Sequence, residues 1–176
     1  MPGVLVASTF SADIEIDCLI IGGGAAGLTA ALAASETGVT VLVAERETRL
    51  SGSTALSSGL IPAAGTKAQD HQSIQDSKDI FYTDIMEKNK KTADPAYVQL
   101  IVQQIPKTLD WLADDYGIPF HVLDNFLYPG HTNLRMHTVP EQTGVGLINR
   151  LEAAVSAKDI TIVTGVQVTD IVVDNS

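Results

Sequence analysis

The sequence predicts an α/β fold in which a parallel β-sheet is flanked by helices. Residues 16–21 form an apolar run that is typical of a strand buried on both faces, and residues 40–44 form a second run rich in β-branched residues. Between them, the small residues from Ala25 to Ser35 favour a helix. Strand, helix and strand in this order make the βαβ unit from which parallel sheets are built.

A glycine-rich turn joins the first predicted strand to the helix. Gly22, Gly24 and Gly27 fit the pattern G-x-G-x-x-G. The first glycine permits a tight turn, the second lets a pyrophosphate approach the backbone, and the third lets helix and strand pack closely. Amide groups at the start of the helix, including that of Ala26, would then face the phosphates.

An acidic residue follows the second predicted strand. Glu45 lies 18 residues beyond Gly27, close to the spacing expected for an acid that binds the hydroxyl groups of a ribose. The alternative is a glycine-rich turn in an ordinary βαβ unit. Strand, glycine turn, helix, strand and acid all occur in order, which favours an adenine-dinucleotide site.

Composition and charge exclude several classes of function. The 176 residues include 11 basic and 21 acidic side chains, a net charge of −10 that argues against nucleic acid and anionic membranes as partners. Cys18 is the only cysteine, so no intramolecular disulfide can form, and no metal ligands cluster in the sequence. No apolar run approaches the ~20 residues of a membrane span. We expect a soluble, cytoplasmic protein.

The rest of the chain contains long helices and a segment rich in small residues. Residues 46–66 are rich in Gly, Ser, Thr and Ala, have no lasting periodicity, and would let the backbone lie against a flat ligand. The other predictions are a leader (1–14), helices (73–89, 94–117 with a kink at Pro106, and 143–157), short strands (118–127) and a closing strand pair (160–163 and 166–173).

Two histidines and an arginine occur close together in residues 129–137. His131, Arg135 and His137 give this loop polar aromatic and cationic groups. One interpretation is a loop that contacts the substrate or the edge of a flavin. A solvated loop with ordinary hydrogen-bonding histidines is equally consistent with the sequence.

Several motifs in a fixed order resemble one family. The chain is similar to the flavoprotein subunits of fumarate reductase and succinate dehydrogenase, L-aspartate oxidase and flavocytochrome c, with ketosteroid dehydrogenases as more distant relatives. The motifs that carry the resemblance are the glycine turn with Glu45, Ser51–Thr54, Ser57–Gly59, Ala63–Thr66, Asp94–Pro95, Gly130–Thr132 with Arg135 and His137, and Thr143–Gly144.

The resemblance implies FAD as the cofactor and a Rossmann-like FAD-binding domain of the glutathione reductase type. Residues 15–176 would be its N-terminal portion, incomplete without a capping domain and C-terminal segments. By analogy, the cofactor-binding residues are Gly22, Gly24, Ala26 and Gly27 at the pyrophosphate, Glu45 at the adenosine ribose, Gly52, Ser53, Thr54, Ser58 and Gly59 near the ribityl and isoalloxazine groups, and Val168 at the adenine.

The resemblance also implies a reaction class. Such enzymes pass hydride between flavin N5 and a C=C or C–C bond activated by a carboxylate or ketone of a small-molecule substrate. Ser53 stands where covalent relatives carry a flavin-linked histidine, so we expect noncovalent FAD, and Leu60 replaces a glycine of many relatives. The family's proton donor and most of its substrate ligands lie beyond this sequence. The catalytic residues therefore stay unknown, and we expect the chain alone to be inactive and prone to self-association.

Three alternatives stay open at this point. The chain could be a flavin-binding module without catalysis, an NAD-dependent enzyme that uses the same βαβ unit, or an enzyme similar to 3-ketosteroid dehydrogenase. The segment Ser51–Thr66 argues against the NAD-dependent enzyme.

Overall fold

The structure, a computed structural model, describes residues 4–6 and 14–173, which lie in two compact units. Unit 1 comprises Met1–Ser58 and Gly144–Ser176, and unit 2 comprises Gly59–Thr143. The strands are β1 (Val4–Val6), β2 (Cys18–Ile21), β3 (Val41–Glu45), β4 (Ile61–Pro62), β5 (His121–Val122), β6 (Met136–Thr138) and β7 (Ile160–Thr164). The helices are α1 (Ala25–Ser35), α2 (Gly52–Ala55), α3 (Lys67–His71), α4 (Lys78–Lys88), α5 (Pro95–Tyr116) and α6 (Gly144–Ser156).

Unit 1 is built on a parallel sheet, as the sequence predicts. Its strand order is β1-β7-β3-β2, and all three neighbouring pairs are parallel. Every residue of β3 is buried, because this strand lies between β2 and β7. The helices α1 and α6 pack against each other and against strands of the sheet. The predicted α/β class is therefore confirmed.

The strand before the glycine turn is less buried than the sequence suggests. We expected both faces of residues 16–21 to be covered, and this is wrong for β2. Leu19 is 45% exposed and Ile21 is 55% exposed, whereas their neighbour Ile20 faces Gly27 of α1. The strand lies at an edge of the described sheet and pairs with β3, and the face that carries Leu19 and Ile21 stays partly exposed.

The predicted closing strand pair differs from the structure, and the predicted leader (1–14) lies outside the described residues apart from residues 4–6 and Ile14. β7 is present, but residues 166–173 form no strand, and Val166 and Val168 instead pack on Leu42 and Ala44 of β3. Within the predicted leader, residues 4–6 form β1 and pair with β7. A strand of three residues takes its stability from its neighbour, which local sequence patterns do not reveal.

Unit 2 combines a small sheet with two longer helices. Its strands are antiparallel in the order β4-β6-β5, and a core cluster of Ala64, Phe81, Met86, Val98 and Val102 joins α4 to α5. The helix expected at 73–89 begins only at Lys78, after the separate helix α3, so its predicted start needs correction. The segment 46–66, which has no lasting periodicity in the sequence, contains two short elements, α2 in unit 1 and β4 in unit 2.

The longest helix, α5, has the ends that its sequence predicts. The side chain of Asp94 accepts a hydrogen bond from the amide of Ala96, Pro95 occupies the first turn, and Gly117 ends the helix with φ of 65°. The helix continues through Pro106. Among the described residues, no helix is both long enough and apolar enough to cross a membrane.

Candidate functional site

The glycine turn of unit 1 has the close packing that its pattern requires. The amide of Gly22 donates to the carbonyl oxygen of Ala44 at 2.8 Å and Gly22 has φ of 100°, a value that favours glycine. A Cβ atom at Gly27 would lie 1.9 Å from the carbonyl oxygen of Gly22. Only glycine fits at residue 27. Any side chain there would push α1 away from the turn that follows β2.

The first turn of α1 offers backbone amides to an anion. Leu28 is the first helical residue whose amide bonds within the helix, to Gly24 at 3.0 Å, and the amide of Ala25 donates to Thr54 Oγ1 at 3.2 Å. Helix geometry therefore leaves the amides of Ala26 and Gly27 for an external acceptor. A Cβ at Gly24 would approach only Thr54 Oγ1, at 3.7 Å, so space is open beside the turn. This cradle suits a phosphate.

Glu45 is buried and its carboxylate binds the glycine turn itself. Its Oε2 accepts the amide hydrogen of Gly23 at 2.7 Å, and its Oε1 accepts that of Glu47 at 2.8 Å. A Cβ at Gly23 would lie 2.3 Å from Leu50 Cδ2, so a larger residue there would have to displace the Leu50 side chain. Each carboxylate oxygen keeps a second lone pair, with which it can accept a hydrogen bond from a ribose hydroxyl.

The other predicted contact residues of unit 1 lie partly near the glycine turn. Gly52, with φ of 58°, and Ser53 are exposed at the start of α2, while Thr54 bonds to Ala25 as described. Ser58 is exposed, and Val168 is half-buried against β3. The amide of Val166 donates to the carbonyl of Glu45, which brings the segment after β7 to the end of β3.

Gly59 and the histidine loop belong to unit 2. Gly59 is buried and has φ of 68°. Arg135 is fully buried: its Nε and Nη2 donate to the two carboxylate oxygens of Asp76 at 2.9 and 3.1 Å, and its Nη1 lies 2.8 Å from Asp84 Oδ2. Its guanidinium also lies 4.7 Å from the centre of the Phe81 ring. A ligand could contact Arg135 only if this cluster opened.

The two carboxylates beside Arg135 are themselves held in place. The amide and hydroxyl of Thr132 donate to Asp84 at 2.7 and 2.6 Å, and the side chain of Asn133 donates to Asp76 at 3.0 Å. Burial raises the pKa of Asp84, but the hydrogen bonds from Thr132 and the charge of Arg135 outweigh it, so its pKa lies below the ordinary value. The cluster is therefore a buried ionic network.

His137 is buried in a single tautomer. Its Nδ1 must donate to the carbonyl oxygen of Arg135 at 2.9 Å, because a carbonyl only accepts. Its Nε2 then accepts from the hydroxyl of Thr66 at 2.7 Å, and that hydroxyl in turn accepts from the amide of Gln69. Burial lowers the pKa of His137, only partly offset by hydrogen bonds to backbone carbonyls. The ring is neutral and structural in this arrangement.

His131 is the member of the predicted loop that lies beside a cleft. Its ring packs on Tyr128 and Phe81, with centroid distances of 5.5 and 6.2 Å, and its Nδ1 is buried without a hydrogen-bond partner. Burial, followed by the charge of Arg135, lowers its pKa. The cleft beside it has a volume of about 300 Å³ and is also lined by Lys88. A substrate contact for His131 stays a prediction.

Comparisons with known proteins agree with this geometry. The family described as FAD binding domain matches residues 17–176. The chain is 30% identical, over 88% of its length, to the NADH:fumarate oxidoreductase of Klebsiella pneumoniae, and 26% identical, over 92%, to the urocanate reductase of Eggerthella lenta. The open conformation of a flavocytochrome c3 fumarate reductase superposes on 91% of the chain with a TM-score of 0.81 and 25% identity.

The chain belongs to the FAD-binding domain family. It covers 17% of the Klebsiella relative, 27% of the Eggerthella relative and 28% of the flavocytochrome chain, so it corresponds to a fraction of each. The predicted resemblance to fumarate reductase flavoproteins is confirmed. Among the described residues of this FAD-binding domain, no group of His, Cys, Asp and Glu side chains could hold a metal ion.

Sequence patterns identified part of this site and missed part of it. Spacing alone pointed to the glycine turn and Glu45, which the structure brings together in this FAD-binding domain. It missed Gly23, the bonding partner of Glu45, and Asp76, the partner of Arg135. Gly23 occupies a variable position of the G-x-G-x-x-G pattern, and no motif in the sequence marks Asp76.

Proposed function

We propose that unit 1 binds FAD noncovalently as the N-terminal portion of an oxidoreductase. The observation that carries this proposal is the open first turn of α1, where the amides of Ala26 and Gly27 and the space beside Gly24 fit a pyrophosphate. Membership of the FAD-binding domain family supports FAD over other dinucleotides.

Different residues of the chain would bind different parts of the cofactor. The amides of α1 bind the pyrophosphate, Glu45 accepts hydrogen bonds from the adenosine ribose, and the exposed residues Gly52 and Ser53 approach the ribityl and flavin groups. Serine has no ring nitrogen with which to bond a flavin, which supports noncovalent attachment. When bound, FAD supplies the hydride chemistry at its N5 atom, and the protein supplies orientation and electrostatics.

The relatives suggest the class of substrate. Fumarate and urocanate, the compounds in the names of the relatives, are both carboxylates with a conjugated C=C bond. We propose that the whole protein transfers hydride between the flavin and a C=C or C–C bond activated by a carboxylate or ketone. Because the chain is about a sixth to a quarter of those two relatives' length, we assign the proton donor and most substrate contacts to residues outside it.

Replacing Gly24 tests the proposed site directly. Gly24→Val places a branched side chain where the pyrophosphate must touch the backbone, so FAD binding should be lost while the far-UV circular dichroism is kept. Ala33→Val, at an exposed position of the same helix, adds similar bulk away from the turn and should bind FAD as the parent does. A Gly24→Val protein that bound FAD equally well would contradict the proposal.

Two further measurements separate the alternatives. A titration with NADH in place of FAD distinguishes a nicotinamide-dependent enzyme, which would bind NADH at least as tightly. Acid precipitation of the FAD complex should leave all flavin in the supernatant. Flavin fluorescence in the protein band of a denaturing gel would show covalent attachment and contradict that part of the proposal.

A further inference from the structure

The first residue of α6 packs directly against the α2 segment. The amide of Gly144 donates to the carbonyl oxygen of Ser57 at 3.0 Å. A Cβ atom on Gly144 would lie 1.7 Å from the carbonyl oxygen of Thr54 and 2.8 Å from that of Ser57. Carbon and oxygen atoms in contact lie about 3.3 Å apart or more, so the backbone of α2 can occupy this place only because residue 144 has no side chain.

The same residue, Thr54, also contacts the start of α1. Its hydroxyl accepts the amide hydrogen of Ala25 at 3.2 Å, while its carbonyl accepts from the amide and hydroxyl of Ser57 at 3.1 and 2.7 Å. The turn from Thr54 to Ser57 is therefore held by its own hydrogen bonds, and it contacts Gly144 directly. The position of this turn places the Thr54 hydroxyl beside the amide of Ala25, so that this amide of α1 is bonded within the protein.

We propose that Gly144 is a positioning residue for the FAD site, an inference that rests on the proposed function. Its missing side chain lets α2 lie close enough for Thr54 to hold the amide of Ala25. The amides of Ala26 and Gly27 are then presented to the pyrophosphate at a fixed distance from Gly52 and Ser53. Gly144 touches no cofactor in this scheme and acts through Thr54.

A methyl group at residue 144 would break this arrangement. The contact is with a main-chain carbonyl, which cannot rotate away as a side chain could, so the turn must move by more than an ångström. The bond from Ala25 to Thr54 is 3.2 Å long, at the upper limit for an N–H···O hydrogen bond, and would not survive such a shift.

The test compares two glycine-to-alanine substitutions in unit 1. Gly144→Ala adds the methyl group at the contact, and Gly38→Ala adds the same group in open space, with no atom within 4 Å of the new Cβ. Gly38 has φ of 80°, so alanine there is strained and lowers stability without touching the site. Fluorescence titration with FAD then separates a loss of affinity from a general loss of stability.

We expect Gly144→Ala to weaken FAD binding at least about tenfold, equivalent to about 1.4 kcal/mol, and Gly38→Ala to leave the dissociation constant within about twofold. Equal affinities in the two variants at matched thermal stability would overturn the proposal. If Gly144→Ala does not fold, Thr54→Val decides: valine lacks the hydroxyl that accepts from Ala25, so FAD affinity should fall relative to Gly38→Ala. Equal FAD binding by Thr54→Val and Gly38→Ala would overturn the proposal as well.

Amide exchange without flavin keeps this inference separate from the proposed function. The amide of Ala25 should be protected in the parent chain and in Gly38→Ala, and should lose protection in Gly144→Ala or Thr54→Val. Failure of the parent chain to bind FAD would overturn the proposed function and the positioning role. Unchanged exchange at Ala25 in a parent that does bind FAD would overturn the positioning role alone.

Discussion

At the scale of single residues, Glu45 has a role that its position in the sequence does not reveal. Acids at this spacing are associated with a ribose, yet here both carboxylate oxygens accept backbone amide hydrogens, from Gly23 and Glu47. The side chain therefore fixes the shape of the glycine turn before any ligand binds. A ribose hydroxyl would donate a further hydrogen bond to a carboxylate that already accepts from the amides of Gly23 and Glu47.

We predict that Glu45→Gln destabilises the protein as well as weakening FAD binding. Glutamine has one accepting oxygen, so one of the two amides would face an NH₂ group inside the protein. Losing a buried hydrogen bond to a charged acceptor costs about 1.5–3 kcal/mol. Denaturant unfolding measures the loss. Glu47→Gln is the control, because Glu47 donates to Glu45 through its backbone amide, while its exposed carboxylate lies 3.2 Å from Arg46 on the surface. An unchanged unfolding midpoint for Glu45→Gln would contradict this role.

Acid should destabilise the protein through the buried His137 and the partly buried His131. The pKa values of His131 and His137 lie below the ordinary value of 6.5 in the folded chain, mainly because of burial. Between the folded and unfolded pKa values only the unfolded chain binds the proton. The histidine contribution is therefore complete above pH 6.5 and is lost as the pH falls through the folded pKa.

The free energy of unfolding at about pH 7 and about pH 5 measures this effect. We expect the parent to lose more stability on acidification than a double variant with His131→Gln and His137→Gln. The exposed His71→Gln serves as the control and should follow the parent. If the double variant and the parent lost the same free energy of unfolding between the two pH values, groups other than these histidines would cause the acid sensitivity.

Residue types and spacing predict a site only where its partners are local or follow a recurrent motif. Gly22, Gly24 and Gly27 were identifiable because one short turn imposes all three requirements. The partners of Arg135 were not identifiable, because Asp76 lies 59 residues away in the sequence and nothing local marks it. The same holds for Gly144, whose constraint comes from the carbonyl of Thr54.

At the scale of secondary structure elements, the ionic network of Arg135 holds unit 2 together. It connects the chain before β6 to Asp76, which precedes α4, and to Asp84 within α4. Gln69 of α3 joins it by donating to Asp76 at 3.2 Å and to the carbonyl of Leu134 at 2.9 Å. The network as a whole thus links α3, α4 and the chain before β6.

We predict that Arg135→Met destabilises the protein by about 3–5 kcal/mol, because it leaves two buried carboxylates without their cation. Lys67→Met is the matched control, since Lys67 pairs with Asp114 where both side chains are at least half exposed. Such a surface pair contributes about 0–1 kcal/mol. Chemical denaturation of both variants measures the difference. Equal losses would show that Arg135 contributes no more than a surface cation.

Elements with strong local signals were predictable, and elements defined by pairing were not. α1 has the predicted bounds, Ala25–Ser35, and α5 has the predicted cap at Asp94 and end at Gly117. β1 escaped prediction because three residues carry no periodicity, and its existence depends on β7. The apolar residues after β7 alternate as a strand would, yet Val166 and Val168 serve to cover β3.

At the scale of the whole molecule, we predict that the chain alone, supplied with FAD and a reduced electron donor, does not reduce fumarate at an enzymatic rate. General acid catalysis contributes about 10²–10⁴-fold, and the buried Arg135 cannot deliver a proton to a ligand while its network is closed. Anaerobic oxidation of the donor by fumarate measures turnover. The control is a longer polypeptide in which the residues encoded downstream of Ser176 follow this chain. Comparable rates for the two would contradict the prediction.

The strand order of the parallel sheet in unit 1 leaves one strand edge unpaired during translation. β3 pairs on one side with β2 and on the other with β7, and the last residue of β3 precedes the first of β7 by 115 positions. At translation rates of 5–20 residues per second, a ribosome needs roughly 6–23 s to cover that distance. During this interval the nascent chain exposes an unpaired apolar strand edge while all of unit 2 emerges. Such edges are sites of aggregation, so slow translation or a shortage of chaperones would reduce the yield of this protein before its sheet could close.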